Sequence, residues 1–228
     1  MPVEISYRSF EFPDLDKANE DGLLAIGGDL SIERLKLAYS KGIFPWYQKG
    51  MPILWWSPDP RMVLFPEKMI ISHSLKQSIK KQQFAVTVDT AFEQVIKNCS
   101  ETPRKGENGT WITREMKIAY TSLHKAGYAH SAEAWLDGNL VGGLYGVAIG
   151  KAFFGESMFH HVSNASKVAF NHLVGKLRSW DFKIIDAQVY TNHLESLGGE
   201  MIPRSQYVKI LEKALLIKDI PGSWEKRE

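Results

Sequence analysis

The sequence of 228 residues contains one cysteine, Cys99. A single thiol closes no intramolecular disulfide and builds no metal cage alone, so the fold rests on its core. Cys99 falls at the end of an expected helix and reads as a small buried hydrophobe rather than a nucleophile. No apolar run approaches the length that spans a bilayer, and the start MPVEISYRSF carries an acid and lacks the basic and apolar stretches of a signal peptide. The expected location is therefore cytoplasmic, with no membrane partner. A strong charge of one sign is missing too: 28 Lys and Arg against 26 Asp and Glu leave a net charge of +2, so any contact with a polyanion has to be a local patch. There is no internal repeat and no low-complexity tract. Gly142-Gly143 and Gly198-Gly199 continue into neither of the common glycine-rich phosphate loops. His130, His160, His161, His172 and His193 show no metal-ligand spacing with cysteines or carboxylates, so no metal site is expected. Asn108-Gly109-Thr110 fits a glycosylation pattern but, without a secretion signal, reads as a turn.

What is present is an ordinary globular composition, 44% hydrophobic and 24% charged, in a chain long enough to bury a substantial core. Residues 42–61 read GIFPWYQKGMPILWWSPDPR, which sets Trp46, Trp55 and Trp56 among four prolines. The prolines argue for extended or turn backbone. A helix from Ser31, as N-cap, to Lys41 precedes this segment and stops at Gly42. Residues 1–60 thus read as a small, loop-rich N-terminal domain with little other regular structure.

Residues 61–228 are more regular. Ser74 to Gln82 reads as a helix; Phe84, Val86 and Val88 alternate as a strand; and Phe92, Val95, Ile96 and Cys99 take helical spacing after Asp89 as cap. A polar loop, ETPRKGENGT, leads to a helix from Thr113 to Ala126. In AHSAEAWLDGNLVGGLYGVAIGKAFFGESMF, Asp137-Gly138 and Ile149-Gly150 punctuate three apolar runs, the pattern of an antiparallel meander. A helix from Asn164 to Leu177, the strand KIIDAQVY and a helix from Ser205 to Leu215 follow. This order resembles an N-acetyltransferase-like fold. The expected class is α+β, with a mostly antiparallel central sheet in the C-terminal domain.

Three features carry chemistry. Asp186 and Gln188 stand two apart on an apolar strand and share a face, which is either a solvated polar face or a site. Glu156 lies among Phe153, Phe154, Met158 and Phe159, where a carboxylate is either paired or functional; a bulge at Gly155 would bring Phe153 and Met158 to one side. Lys76 and Lys80 share a helix face, with Lys81 beside them and His73 one turn earlier: a solvated face, or a phosphate-tracking patch.

The stretches GLLAIGGDLSIERLKLAYSKGIFPW, PILWWSPDPR, GTWITREM, AHSAEAW, LVGGLYGVAIGKAFFGESMF, NASK and DAQVYTNHLESLGGEMIPR together resemble the leucyl/phenylalanyl-tRNA protein transferases. The resemblance implies transfer of Leu or Phe, and less readily Met, from aminoacyl-tRNA to the α-amine of proteins beginning with Arg or Lys, which marks them for degradation by the N-end rule pathway. It implies that Trp46 and Trp111 contact the terminal aminoacyl-adenosine, with Trp55 and Trp56 kept for packing. It implies an apolar side-chain pocket of Leu144, Phe153, Met158, Leu173, Leu177 and Ile185. Asp186 and Gln188 resemble the pair that orients the amine and assists its proton loss, and Glu156 the residue that engages the basic acceptor or fixes the aminoacyl end. No cofactor is expected, because the acyl group arrives activated. A monomer is expected.

Two other classes compete. A CoA-dependent N-acetyltransferase fits the sheet order, but HHVSNASK after the third meander strand lacks a glycine-rich turn for a pyrophosphate. A non-catalytic tRNA-binding module fits the aromatics and lysines but gives Glu156, Asp186 and Gln188 no purpose.

Overall fold

Prolines do not keep the first sixty residues irregular. In the computed structural model, which describes residues 2–7, 10–103 and 110–227, β1 (Val3–Ile5), β2 (Leu23–Gly27), β3 (Phe44–Pro45) and β4 (Leu54–Trp56) form a four-stranded sheet in the order β1-β2-β4-β3. The expectation of little regular structure is corrected here, and the reason is local. Pro45 sits on an edge strand, opposite Trp55, where its missing N–H interrupts no ladder. Between β2 and β3 lies α1 (Ile32–Ser40), capped as expected by Ser31, whose hydroxyl accepts from the Arg34 amide at 3.4 Å. Gly42 ends this helix at φ +73°, and a Cβ there would stand 2.7 Å from the Tyr207 ring.

The rest of the chain builds a seven-stranded sheet. In chain order come β5 (Arg61–Leu64), α2 (His73–Lys80), β6 (Ala85–Val88), α3 (Phe92–Glu101), α4 (Arg114–Lys125), β7 (Ala129–Leu136), β8 (Asn139–Ile149), β9 (Ala152–His160), α5 (Ala165–Ser179), β10 (Ile184–Gln188), α6 (Asn192–Glu195), β11 (Glu200–Ile202) and α7 (Arg204–Leu215). The strand order is β11-β5-β10-β9-β8-β7-β6, antiparallel throughout except for β9 and β10, which run parallel and are joined by α5. The class is α+β with a mostly antiparallel sheet. The meander β7-β8-β9 is the expected one. Its first turn has positive φ at both Asp137 (+51°) and Gly138 (+77°), the geometry whose twist matches a hairpin.

Both faces of this sheet are covered. One face carries α3, α4, α7 and the N-terminal lobe over a core that includes Tyr39, Trp55, Val95, Tyr120, Tyr145, Phe154 and Tyr207. The other carries α5 and α2 over Phe153, Phe170, Leu173, Leu177 and Ile185. Cys99 is fully buried in the first core.

Asp89 does not cap α3. The cap position is Ala91, and Asp89, at φ +58°, accepts instead from the amides of Ser131 (2.9 Å) and Trp224 (2.8 Å) and pairs with His130 Nδ1 at 2.8 Å. Trp224 stacks on His130 with ring centroids 3.5 Å apart, which ties the C-terminal segment to β7. Of the expected polar loop, residues 104–109 lie outside the described residues, Asn108-Gly109 among them.

Candidate active site

Glu156 is placed by a bulge. Tyr145 pairs with Ser157 and the next residue of β8, Gly146, pairs with Gly155, so Glu156 is the extra residue of β9. The bulge changes the phase of the strand and lets Met158 pack against the same core that holds Phe153. Glu156 Oε1 accepts from the Tyr39 hydroxyl at 2.7 Å and from Gln188 Nε2 at 2.8 Å, and Oε2 meets the Tyr120 hydroxyl at 2.9 Å. The two phenol oxygens also touch each other. Burial pushes the Glu156 carboxyl up to about 7; hydrogen bonds from Tyr39, Tyr120 and Gln188 work against that rise, and the nearby Asp186 charge adds to it. Burial, followed by the Glu156 charge, also holds both phenols well above the usual tyrosine range.

Asp186 has a different setting. It is fully buried, and its oxygens are occupied: Oδ1 accepts from Arg61 Nε (2.8 Å) and from the Gln188 amide (2.9 Å), while Oδ2 accepts from Arg61 Nη2 (2.7 Å) and the Tyr207 hydroxyl (2.7 Å). Arg61 lies between the rings of Phe44 and Tyr207, 4.7 and 4.8 Å from their centroids. Burial disfavours the guanidinium charge, but the Asp186 carboxylate outweighs it and raises the Arg61 pKa. Asp186 thus fixes the backbone of Gln188, which takes φ +65° where the β10–β5 register shifts. The side-chain amide of Gln188 is held by Glu156 instead.

Glu156 and Gln188 border a cavity of about 420 Å³ between the N-terminal lobe and the sheet. Leu144, Met158 and Ile185 line it, together with Trp46, Trp111, Glu156 and Gln188. Phe153, Leu173 and Leu177 do not reach its surface; they are fully buried in the core that carries Leu144 and Ile185. Trp46 is 38% exposed, whereas Trp55 is fully buried and its Nε1 donates to the Gly27 carbonyl at 2.9 Å. Trp56 Nε1 donates to the Trp46 carbonyl at 2.7 Å and steadies the segment that presents Trp46. His73, Lys76, Lys80 and Lys81 are exposed on or beside α2, away from the cavity lining. Asn164 at the start of α5 donates to Ser78 of α2 at 3.0 Å. Among the described residues no group of three or more His, Cys, Asp or Glu could hold a metal ion.

Sequence reasoning missed Arg61, Tyr39, Tyr120 and Tyr207 as members of the site. Tyr39 and Tyr120 occupy apolar stripes of their helices, which read as core. Arg61 opens an apolar strand, and a cation there was the one available signal that a buried carboxylate lay opposite.

A family model described as leucyl/phenylalanyl-tRNA protein transferase matches residues 63–212, and one described as the N-terminal domain of that transferase matches residues 28–59. The chain belongs to the leucyl/phenylalanyl-tRNA protein transferase family. A relative of that name from Desulfatibacillum aliphaticivorans is 52% identical over 224 residues, covering 98% of this chain and 96% of its own. Another, from Saccharophagus degradans, is 55% identical over 206 residues, covering 90% and 84%. This protein is accordingly a transferase whose substrates are an aminoacyl-tRNA and a protein. Among solved structures, L-PGS from Bacillus licheniformis is a loose likeness, with a TM-score of 0.45 and 10% identity, covering 85% of this chain and 73% of its own. Among the described residues of the transferase no helix is long and apolar enough to cross a membrane.

Proposed function

We propose that the enzyme moves Leu or Phe, and less readily Met, from aminoacyl-tRNA to the α-amine of proteins that begin with Arg or Lys, as a cytoplasmic monomer that marks them for degradation by the N-end rule pathway. The observation that carries this reading is an apolar cavity with one polar wall. Leu144, Met158 and Ile185 face a donor side chain, backed by Phe153, Leu173 and Leu177, and Glu156 with Gln188 faces the reacting groups. Walls of this kind discriminate by about 1–3 kcal/mol per methylene, enough to prefer Leu and Phe and to let Met through. The indoles of Trp46 and Trp111 offer the terminal adenine a stacking surface worth about 1–3 kcal/mol. The tRNA phosphates run toward Lys76, Lys80, Lys81 and His73, where contact is independent of sequence.

The chemistry is aminolysis of an activated ester, so no cofactor is needed. Gln188, locked at its backbone by Asp186 and at its amide by Glu156, positions the incoming amine.

The test is transfer of labelled Leu from leucyl-tRNA to peptides that differ only in an N-terminal Arg or Ala, beside isoleucyl-tRNA as donor. Label on the Arg peptide, from leucyl-tRNA and not from isoleucyl-tRNA, supports the assignment. Equal labelling of the Ala peptide removes the acceptor rule, and equal use of isoleucyl-tRNA removes the pocket.

A further inference from the structure

We infer that Glu156, backed by Tyr39 and Tyr120, is the group that takes the proton of the attacking amine and returns it to the departing ribose oxygen. This rests on the aminoacyl transfer proposed above and assigns its proton route. Asp186 is unsuited to that role, because four donors fill its oxygens, Arg61 neutralises it, and it is shut off from the cavity. Gln188 has no proton to exchange in this range.

The proton count of the ring that the two phenol oxygens close with the Glu156 carboxyl carries the argument. Tyr39, Tyr120 and Glu156 make three mutual contacts, one along each side of a triangle. Two phenolic protons supply donors for two sides only. A third proton, on the carboxyl, closes the ring, so that Glu156 donates to Tyr120, Tyr120 to Tyr39, and Tyr39 back to Glu156. Each phenol then gives once and accepts once, while the carboxyl gives through Oε2 and accepts at Oε1. The triangle therefore holds two protons or three with no movement of its heavy atoms. Gln188 Nε2 donates to Oε1 in either state and leaves Oε2 as the oxygen that exchanges.

The steps balance. The amine nitrogen attacks the ester carbonyl, and as the C–N bond forms its proton passes to Glu156 Oε2, taking the triangle from two protons to three. The C–O bond to the ribose then breaks, and the proton moves to that oxygen, restoring two. Tyr39 and Tyr120 act through Glu156 and are positioning residues. The charged and titratable groups that face Glu156 are Tyr39 from α1, Tyr120 from α4 with Tyr145 of β8 behind it at 5.5 Å, and Asp186 from β10, itself held by Arg61 of β5 and Tyr207 of α7. With the carboxyl near 7, both proton states are populated in neutral solution. His193 also lines the cavity, and burial, with Lys167 and His160, lowers its pKa from the ordinary histidine value.

The experiment is the pH profile of kcat/KM, with leucyl-tRNA and an Arg-initiated peptide, for the wild type, Tyr39→Phe, Tyr120→Phe, Glu156→Gln and His193→Gln. Phenylalanine keeps the ring and its packing, and thermal melting confirms that each variant folds. Loss of a hydroxyl that donates to the carboxylate disfavours its charged form, so the acid limb should move up by about one pH unit in each Phe variant, with activity recovered in alkali. A merely structural tyrosine would lower the whole profile and leave the limb in place. The free amine also titrates, at about 8, but its pKa does not respond to enzyme mutations. Carbon-13 NMR of Glu156 in the free enzyme should show the same upward shift without turnover. An unmoved limb in both Phe variants, wild-type turnover by Glu156→Gln, or loss of the limb in His193→Gln would each overturn the route. Absence of any transfer by the wild type would instead sink the transferase reading on which it rests.

Discussion

Trp46 and Trp55 carry the same indole and should respond oppositely to truncation. Trp55 is fully buried, edge-on to Phe12 at 5.0 Å, with its N–H satisfied by Gly27. Trp55→Ala is expected to cost about 3–5 kcal/mol of stability in urea titration. Trp46, more than a third exposed on the cavity rim, should lose little stability on conversion to Ala, while KM for aminoacyl-tRNA rises by roughly the 1–3 kcal/mol of a stacked base. Equal destabilisation by the two changes would make Trp46 a core residue. Glu156 allows a second prediction. Between its ordinary 4.5 and about 7 the folded protein keeps a proton that the unfolded chain has released, so stability falls as pH rises through that window. Glu156→Gln removes the effect and should gain on the wild type by about 3 kcal/mol from the bottom of the window to the top. A difference that ignores pH would show that the carboxyl is not held neutral by burial.

At the scale of elements, α5 provides a matched pair of glycines. Gly142 of β8 faces the start of this helix, where a Cβ would stand 2.6 Å from Ala165 Cβ and 2.7 Å from the Ser166 amide. Gly142→Ala should therefore push α5 off the sheet at a cost of about 1–3 kcal/mol. Gly175, exposed within α5, has nothing within 4 Å of its absent Cβ, and Gly175→Ala should stabilise by about 0.5–1 kcal/mol. Chemical denaturation that gave both the same sign would refute this packing. The elements themselves were legible wherever their signals were local. Asp137-Gly138 announced the meander, and Ser31, with Gly42, bounded α1. The small sheet was not legible, because β4 takes its central partner from β2, with β3 added only at the edge of β4, and the β2–β4 pairing appears in no window of sequence. Asp89 failed as a cap for the same reason: the amides of Ser131 and Trp224 claim its carboxylate from far along the chain. The site divides in the same way. Glu156, Asp186 and Gln188 stood out as polar residues in apolar strands, whereas Tyr39, Tyr120 and Tyr207 matched the helical stripes that bury them.

For the whole molecule, the two lobes share contacts and a core. Tyr39 of the N-terminal lobe reaches Glu156 of the sheet, Phe44 covers Arg61, and Gly42 admits the ring of Tyr207. One core runs through both. Calorimetry of the full chain should accordingly show a single transition, with calorimetric and van't Hoff enthalpies equal. A fragment of residues 61–228, deprived of that shared core, should lose near-ultraviolet dichroism and cooperative melting. A fragment that melted as sharply as the full chain would show that the lobes fold independently.

The bulge in β9 has a consequence for inheritance. Loss of the codon for residue 156 would join Gly155 to Ser157 and leave the ladder with β8 continuous, Gly155 opposite Gly146 and Ser157 opposite Tyr145. The sheet would be more regular, and the wall facing the ester would have no acid. On the proton route inferred above, the lesion gentlest to this strand is thus among those most damaging to the chemistry, and a healthy level of folded protein in a cell carrying it would say nothing about whether peptide bonds were still being made.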